Sequence, residues 1–117
     1  MLQPSILVIE DHAAVRSALA ALVRIAFPGY AVLESEDAAA GLAAARGHSA
    51  VLVIVAATLP DMDGCELVDR LRIADPALDA LLISHEPGSG VIPKDRLHRD
   101  LLPAIARALA LRKRHSH

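Results

Sequence analysis

The sequence has no tryptophan, one phenylalanine, one tyrosine and one cysteine among its 117 residues. Because aromatic rings are so scarce, the stacking platforms that bind single-stranded nucleic acid are missing. The single cysteine, Cys65, excludes an internal disulfide and a zinc site built from several cysteines, and it fits a reducing cytoplasm. A formal net charge of −2 gives no strong attraction toward DNA or anionic lipid. We therefore expect no direct binding to nucleic acid.

Long apolar runs are also absent. No segment approaches the ~20 consecutive apolar residues that a membrane-spanning helix needs, and the N-terminal apolar run is too short for a signal peptide. We expect a cytoplasmic protein with no membrane contact. The chain length and a hydrophobic fraction of 54% suit one packed core. We expect a single domain over residues 1–117, with no output domain after it.

Short apolar runs alternate with helical stripes along the chain. The runs predict strands at 5–9, 30–34, 51–55 and 80–84, and a stub at 91–92. Apolar residues at three- and four-residue spacing predict helices between the strands, and a last helix that buries Leu101, Ile105 and Leu109. Asp63 and Glu66 have the spacing of a capping box for the third helix. This alternation indicates an α/β fold, a doubly wound parallel sheet with helices on both faces.

The carboxyl ends of the strands should meet at one edge of such a sheet, where binding sites gather. That edge receives Glu10 and Asp11 after the first strand and residues 56–63 after the third. Ser84 ends the fourth strand, and Lys94 follows the stub. Acids, a hydroxyl group and an ammonium group are therefore predicted to converge there.

These landmarks resemble those of the receiver domain of two-component response regulators. The resemblance rests on ILVIEDH at 6–12, LPDMDG at 59–64 after an apolar strand, the serine of ALLIS at 80–84 and the lysine of IPKD at 92–95. It covers nearly the whole chain, and the C-terminal part is similar to receivers that precede a helix-turn-helix output domain. It implies a flavodoxin-like sheet with the strand order 2-1-3-4-5.

The sequence departs from that family at its reactive position. In the family, an aspartate four residues before the loop proline accepts a phosphoryl group, and here that position is Ala56. The acid pair that matches Glu10 and Asp11 holds Mg²⁺ together with that aspartate. Since one carboxylate is missing, we expect weak or no Mg²⁺ binding and no other cofactor, which leaves Glu10 and Asp11 as weak metal candidates.

Two further residues match the family but lack their usual partner. Ser84 corresponds to the switch hydroxyl, and Lys94 corresponds to the lysine that contacts the phosphoryl group. Without a phosphoryl group we expect a structural role, in which Lys94 neutralises Glu10 or Asp11.

The second departure concerns length. The family has a helix and a strand between the switch hydroxyl and the lysine, yet Lys94 lies only ten positions after Ser84. We expect the fourth helix to be missing and the last strand to be short or vestigial. This loss should uncover apolar side chains of the fourth strand, from the set Leu81, Leu82 and Ile83, and we expect a homodimer to cover them.

The sequence as a whole predicts an atypical receiver that is not an enzyme and works as a phosphorylation-independent interaction module with protein partners. One alternative is a receiver phosphorylated at another residue, for which Thr58 and Asp61 are the nearest substitutes. Another is an engineered change, at Ala56 or in the PGSG segment, in a receiver that was once active.

Overall fold

A central parallel sheet organises the fold. The computed structural model describes residues 3–84, 91–93 and 97–115. The elements are, in chain order, β1 Ser5–Ile9, α1 Ala13–Ala26, β2 Ala31–Ser35, α2 Ala38–Gly47, β3 Ala50–Ala56, α3 Gly64–Ala74, β4 Asp79–Ser84, β5 Val91–Pro93, a π-helical turn Leu97–Leu101 and α4 Leu102–His115. The strands lie in the order β2-β1-β3-β4-β5, and all neighbouring strands are parallel. The predicted flavodoxin-like doubly wound sheet is confirmed.

The two strands at the centre of the sheet are β1 and β3. Every residue of β1 is buried, as is all of β3 except the half-buried Ala50. Continuous apolar strands of this kind are typical of a parallel sheet with both faces covered. Right-handed crossovers place α1 on one face and α2 and α3, which contact each other, on the other. On that second face, a Cβ added to Gly41 would lie 2.5 Å from Cδ1 of Ile9, so α2 packs closely on β1.

Two of the helix starts are capped by a side chain, and a third is not. His12 is the N-cap of α1, where its Nδ1 accepts from the Val15 N–H at 3.4 Å, and Asp37 accepts from the Ala40 N–H at 2.8 Å. Asp63 occupies the N-cap position of α3, but its side chain makes no capping hydrogen bond. The predicted capping box with Glu66 is therefore wrong.

The C-terminal third is shortened relative to the family pattern. Among the described residues no helix lies between β4 and β5, and residues 85–90, which separate these strands, lie outside the described part. The last strand is three residues long, as predicted. Pro103 is the second residue of α4, directly after the π-helical turn. Leu101, Ile105 and Leu109 are buried, as their spacing predicts.

The exposure of β4 differs in part from the expectation. Ile83 is fully buried and needs no further cover. Leu81 and Leu82, which point to opposite faces of the strand, are each half-buried. The uncovered apolar surface is therefore smaller than the sequence suggests. Within the residues that the structure describes, every helix is too short or too polar to cross a membrane.

Candidate functional site

The predicted edge brings three of the five candidate positions onto adjacent strands. Glu10 directly follows β1, Ala56 ends β3 and Ser84 ends β4. Ile9 pairs with Val55, so that Glu10 and Ala56 are neighbours across the strands. Lys94, together with its expected contact to the acid pair, lies outside the described residues.

Glu10 is fully buried, whereas Asp11 is exposed in the turn before α1. The backbone of Glu10 is fixed on both sides. Its N–H donates to the Ser35 carbonyl at 3.0 Å, and its carbonyl oxygen accepts from Nη1 of Arg16 at 2.9 Å. The acid pair is thus divided between the interior and the surface.

Arg16 is a site residue that the sequence does not reveal. It is half-buried one turn into α1, and besides the Glu10 carbonyl it approaches Glu34 of β2, with 3.7 Å between Nε and Oε1. Glu34 also accepts from Nη2 of Arg24 at 3.3 Å. Arg16 therefore ties the turn after β1 to the neighbouring strand. The position of Arg16 in the sequence does not indicate this contact.

Ala56, the position that the sequence resemblance assigns to the family's acceptor, is completely buried. The backbone around it is tightly packed. The Ala57 N–H donates to the Ile83 carbonyl at 2.8 Å, and the Gly64 N–H donates to the Ala57 carbonyl at 2.8 Å. A Cβ on Gly64 would overlap the Ala56 carbonyl oxygen and lie 3.0 Å from Cα of Ala57. Only glycine lets the start of α3 approach the end of β3 this closely.

The loop after β3 is anchored to α2 by Asp61. Thr58 and Asp63 form an antiparallel bridge that closes the loop. At its tip, the Asp61 carboxylate accepts from the backbone N–H groups of Ala38 at 2.9 Å and Ala39 at 3.0 Å, which are otherwise unsatisfied donors of the first turn of α2.

The hydrogen bond from Ala38 lowers the pKa of Asp61 below the usual value of an aspartate, and the bond from Ala39 acts in the same direction. Both carboxylate oxygens of this candidate substitute acceptor are therefore engaged with α2. The sequence places Asp61 in the loop but gives no sign that it caps a helix 23 residues earlier.

The described residues do not fit a magnesium site of the family's kind. Ala56 contributes no ligand, and nowhere in the described part of the chain do three or more histidine, cysteine, aspartate or glutamate side chains gather to hold a metal ion. Mg²⁺ prefers near-octahedral oxygen coordination, which the buried Glu10 and the exposed Asp11 do not complete.

Comparisons with known proteins agree on one family. The family model described as the response regulator receiver domain matches residues 6–92. A CheY-like response regulator receiver domain from Methanospirillum hungatei JF-1 superposes with a TM-score of 0.86 at 24% identity, covering 99% of this chain and 100% of that one. The receiver domain of the hybrid histidine kinase CckA has a TM-score of 0.77 at 31% identity, covering 90% of this chain and 98% of that one.

A curated relative is the probable transcriptional regulatory protein TcrX of Mycobacterium tuberculosis (strain ATCC 25618 / H37Rv). It is 28% identical over 80 residues, which are 68% of this chain and 33% of that protein. The match thus spans about a third of the length of that relative.

Proposed function

The chain belongs to the receiver domain family of response regulators, and we propose that it is a phosphorylation-independent member that acts as a protein interaction module. The observation that carries the proposal is Ala56. Its methyl group occupies the position of the family's phosphoacceptor, and it has no lone pair with which to attack phosphorus. A module of this kind is not an enzyme, and its exposed free thiol at Cys65 suits the reducing cytoplasm.

The surroundings of Ala56 support the proposal. The side chain of Ala56 is 0% exposed. The carboxylate nearest to it along the sheet, that of Glu10, is buried as well. Both alternative acceptors, Thr58 and Asp61, are exposed, and Asp61 has both carboxylate oxygens bonded to backbone N–H groups of α2.

A phosphorylation assay tests the proposal. The native chain is incubated with acetyl phosphate and Mg²⁺, and separately with beryllofluoride and Mg²⁺, and is followed by intact mass and by amide NMR. We expect no gain in mass and no change in the amide chemical shifts of Glu10, Ala56 or Ser84. Addition of a phosphoryl group that maps to Thr58 or Asp61 would contradict the proposal and favour a receiver with a relocated acceptor.

We further propose that the partner surface includes α3 and β4 and that a second copy of the chain covers it. Leu82 and Ala80 of β4 are half-buried, and they form the floor of a cavity of about 210 Å³ beside α3. Half-covered apolar strand residues next to an open cavity are typical of interaction surfaces. Light scattering at micromolar concentration should give the mass of a dimer, and a monomer mass would count against this part of the proposal.

A further inference from the structure

The cavity beside β4 has walls of a particular chemistry. Cys65, Val68, Asp69 and Arg72 of α3 line it on one side, and Ala80 and Leu82 of β4 form its floor. The four helix residues are spaced i, i+3, i+4 and i+7 and therefore form one stripe along α3. We call this surface the α3–β4 groove.

The groove carries one charge of each sign, one helical turn apart. Asp69 is exposed, and within the described part of the chain it makes no ion pair or side-chain hydrogen bond. Arg72 donates from Nε to the Leu78 carbonyl at 3.3 Å, and its two terminal nitrogens are not used in that bond. The nearest charged pair on α3, Arg70 with Glu66, does not line the groove.

An uncovered apolar side chain stands next to these charges. Ile73 follows Arg72 on α3 and is 84% exposed. Ile73 is one turn beyond Asp69 and does not line the groove, so the apolar surface that Asp69 and Arg72 border is that of Val68, Ala80 and Leu82. A partner for such a surface needs apolar side chains of its own and one charge of each sign at the same spacing. A second copy of α3 meets all of these requirements.

We infer that the α3–β4 groove is the contact face of a two-fold dimer in which Asp69 of each copy pairs with Arg72 of the other. In an isologous interface, residue i contacts residue j and residue j contacts residue i. If two α3 helices approach antiparallel about an axis between positions 69 and 72, each carboxylate comes opposite the guanidinium of the other copy. The ion pair therefore occurs twice in every dimer. This inference rests on the proposed self-association and names its contacts.

Charge exchange tests the reciprocal pairing. Asp69→Arg sets two arginines opposite each other at both ends of the contact, and Arg72→Asp does the same with two aspartates. Each variant alone should weaken dimerisation by at least about tenfold in Kd, because each dimer loses two attractive pairs and gains two repulsive ones. The double variant D69R/R72D restores opposite charges and should dimerise nearly as well as the native chain.

Mixing the two single variants gives the sharpest result. A chain with Asp69→Arg offers two positive charges, and a chain with Arg72→Asp offers two negative ones, so the heterodimer has two attractive pairs. Native mass spectrometry should find the heterodimer well above its statistical share. Glu66→Arg and Arg70→Asp make the same changes in net charge on the same helix outside the groove, and they should leave the native Kd unchanged.

The outcomes separate this inference from the rest of the proposal. The Asp69–Arg72 pairing is overturned if the native chain dimerises and both single variants dimerise with the same Kd. It is also overturned if the mixture contains only the statistical share of heterodimer. In both cases self-association stands. A native chain that is monomeric at micromolar concentration overturns the dimer altogether and leaves phosphorylation independence untouched. Circular dichroism of each variant confirms that these surface exchanges leave the fold intact.

Discussion

Introducing an aspartate at position 56 is the most direct perturbation of the candidate site. Ala56→Asp places a carboxylate where the native side chain is 0% exposed, beside the fully buried Glu10 on the adjacent strand. Desolvation and a neighbouring acid both oppose the charged form and raise the pKa of the introduced carboxyl. A buried charge without compensation costs about 3–5 kcal/mol, which is a large part of the ~5–15 kcal/mol that holds a typical domain folded.

The assay is urea unfolding of the native chain, Ala56→Asp and Ala56→Asn. The asparagine variant has nearly the same volume without the charge, so the difference between the two variants isolates the electrostatic penalty. At neutral pH we expect Ala56→Asp to be less stable than Ala56→Asn by about 2–4 kcal/mol. The difference in unfolding free energy between the two variants should decrease as the pH falls through the raised pKa, because protonation in the folded state removes the penalty.

Magnesium provides a second arm of the same experiment. The introduced carboxylate completes the acid set that the family uses, and a ligand that binds only the folded state raises its stability. Mg²⁺ should therefore stabilise Ala56→Asp and leave the native chain and Ala56→Asn unchanged. Equal stability of the two variants at neutral pH in metal-free buffer would refute the reasoning, because it would mean that the position is not desolvated.

Three further predictions address the contacts that support the site. Asp61→Asn should lower stability at neutral pH. Because the pKa of Asp61 is lowered in the folded protein, the difference from the native chain should begin to shrink below about pH 4 and disappear once the pH has fallen through the folded-state pKa. A difference that stays constant in acid would contradict the helix-capping role. Gly64→Ala should cost about 1–3 kcal/mol in thermal unfolding. The control is Gly47→Ala, whose added Cβ meets nothing within 4 Å and which should leave stability unchanged or raise it by up to about 1 kcal/mol. Equal losses of stability in Gly64→Ala and Gly47→Ala would contradict the packing argument. Ile105→Ala should cost about 2–5 kcal/mol, whereas the exposed Arg107→Ala should stay within about 0.5 kcal/mol of the native chain, and a similar effect of both would mean that α4 is not docked on the sheet.

The sequence predicts the order of the elements because strands that are buried on both faces are runs of consecutive apolar residues. The strands begin and end within about one residue of the predicted positions. They are short apolar runs, so the sequence alone is enough to reveal them. Ala56 likewise needs no coordinates, since counting from Pro60 identifies it.

Capping of α2 by Asp61 shows where such reasoning fails. Asp63 and Glu66 match the local capping pattern, yet Asp63 makes no capping bond, while Asp61 caps a helix that begins 23 residues earlier. Nothing in the chain around Asp61 indicates which helix start lies within reach, because that depends on how β1 and β3 pair. The contact of Arg16 with the Glu10 carbonyl is hidden for the same reason.

In the loop after β3, two residues of the family motif make structural contacts. Asp61 of LPDMDG satisfies two backbone donors of α2, and Gly64 lets the start of α3 pack against the carbonyl of Ala56. Neither contact involves a phosphoryl group, and neither depends on which side chain occupies position 56. The contacts that fold the domain therefore account for both residues. A match to this part of the motif is consequently evidence for the fold, and it does not by itself indicate phosphotransfer.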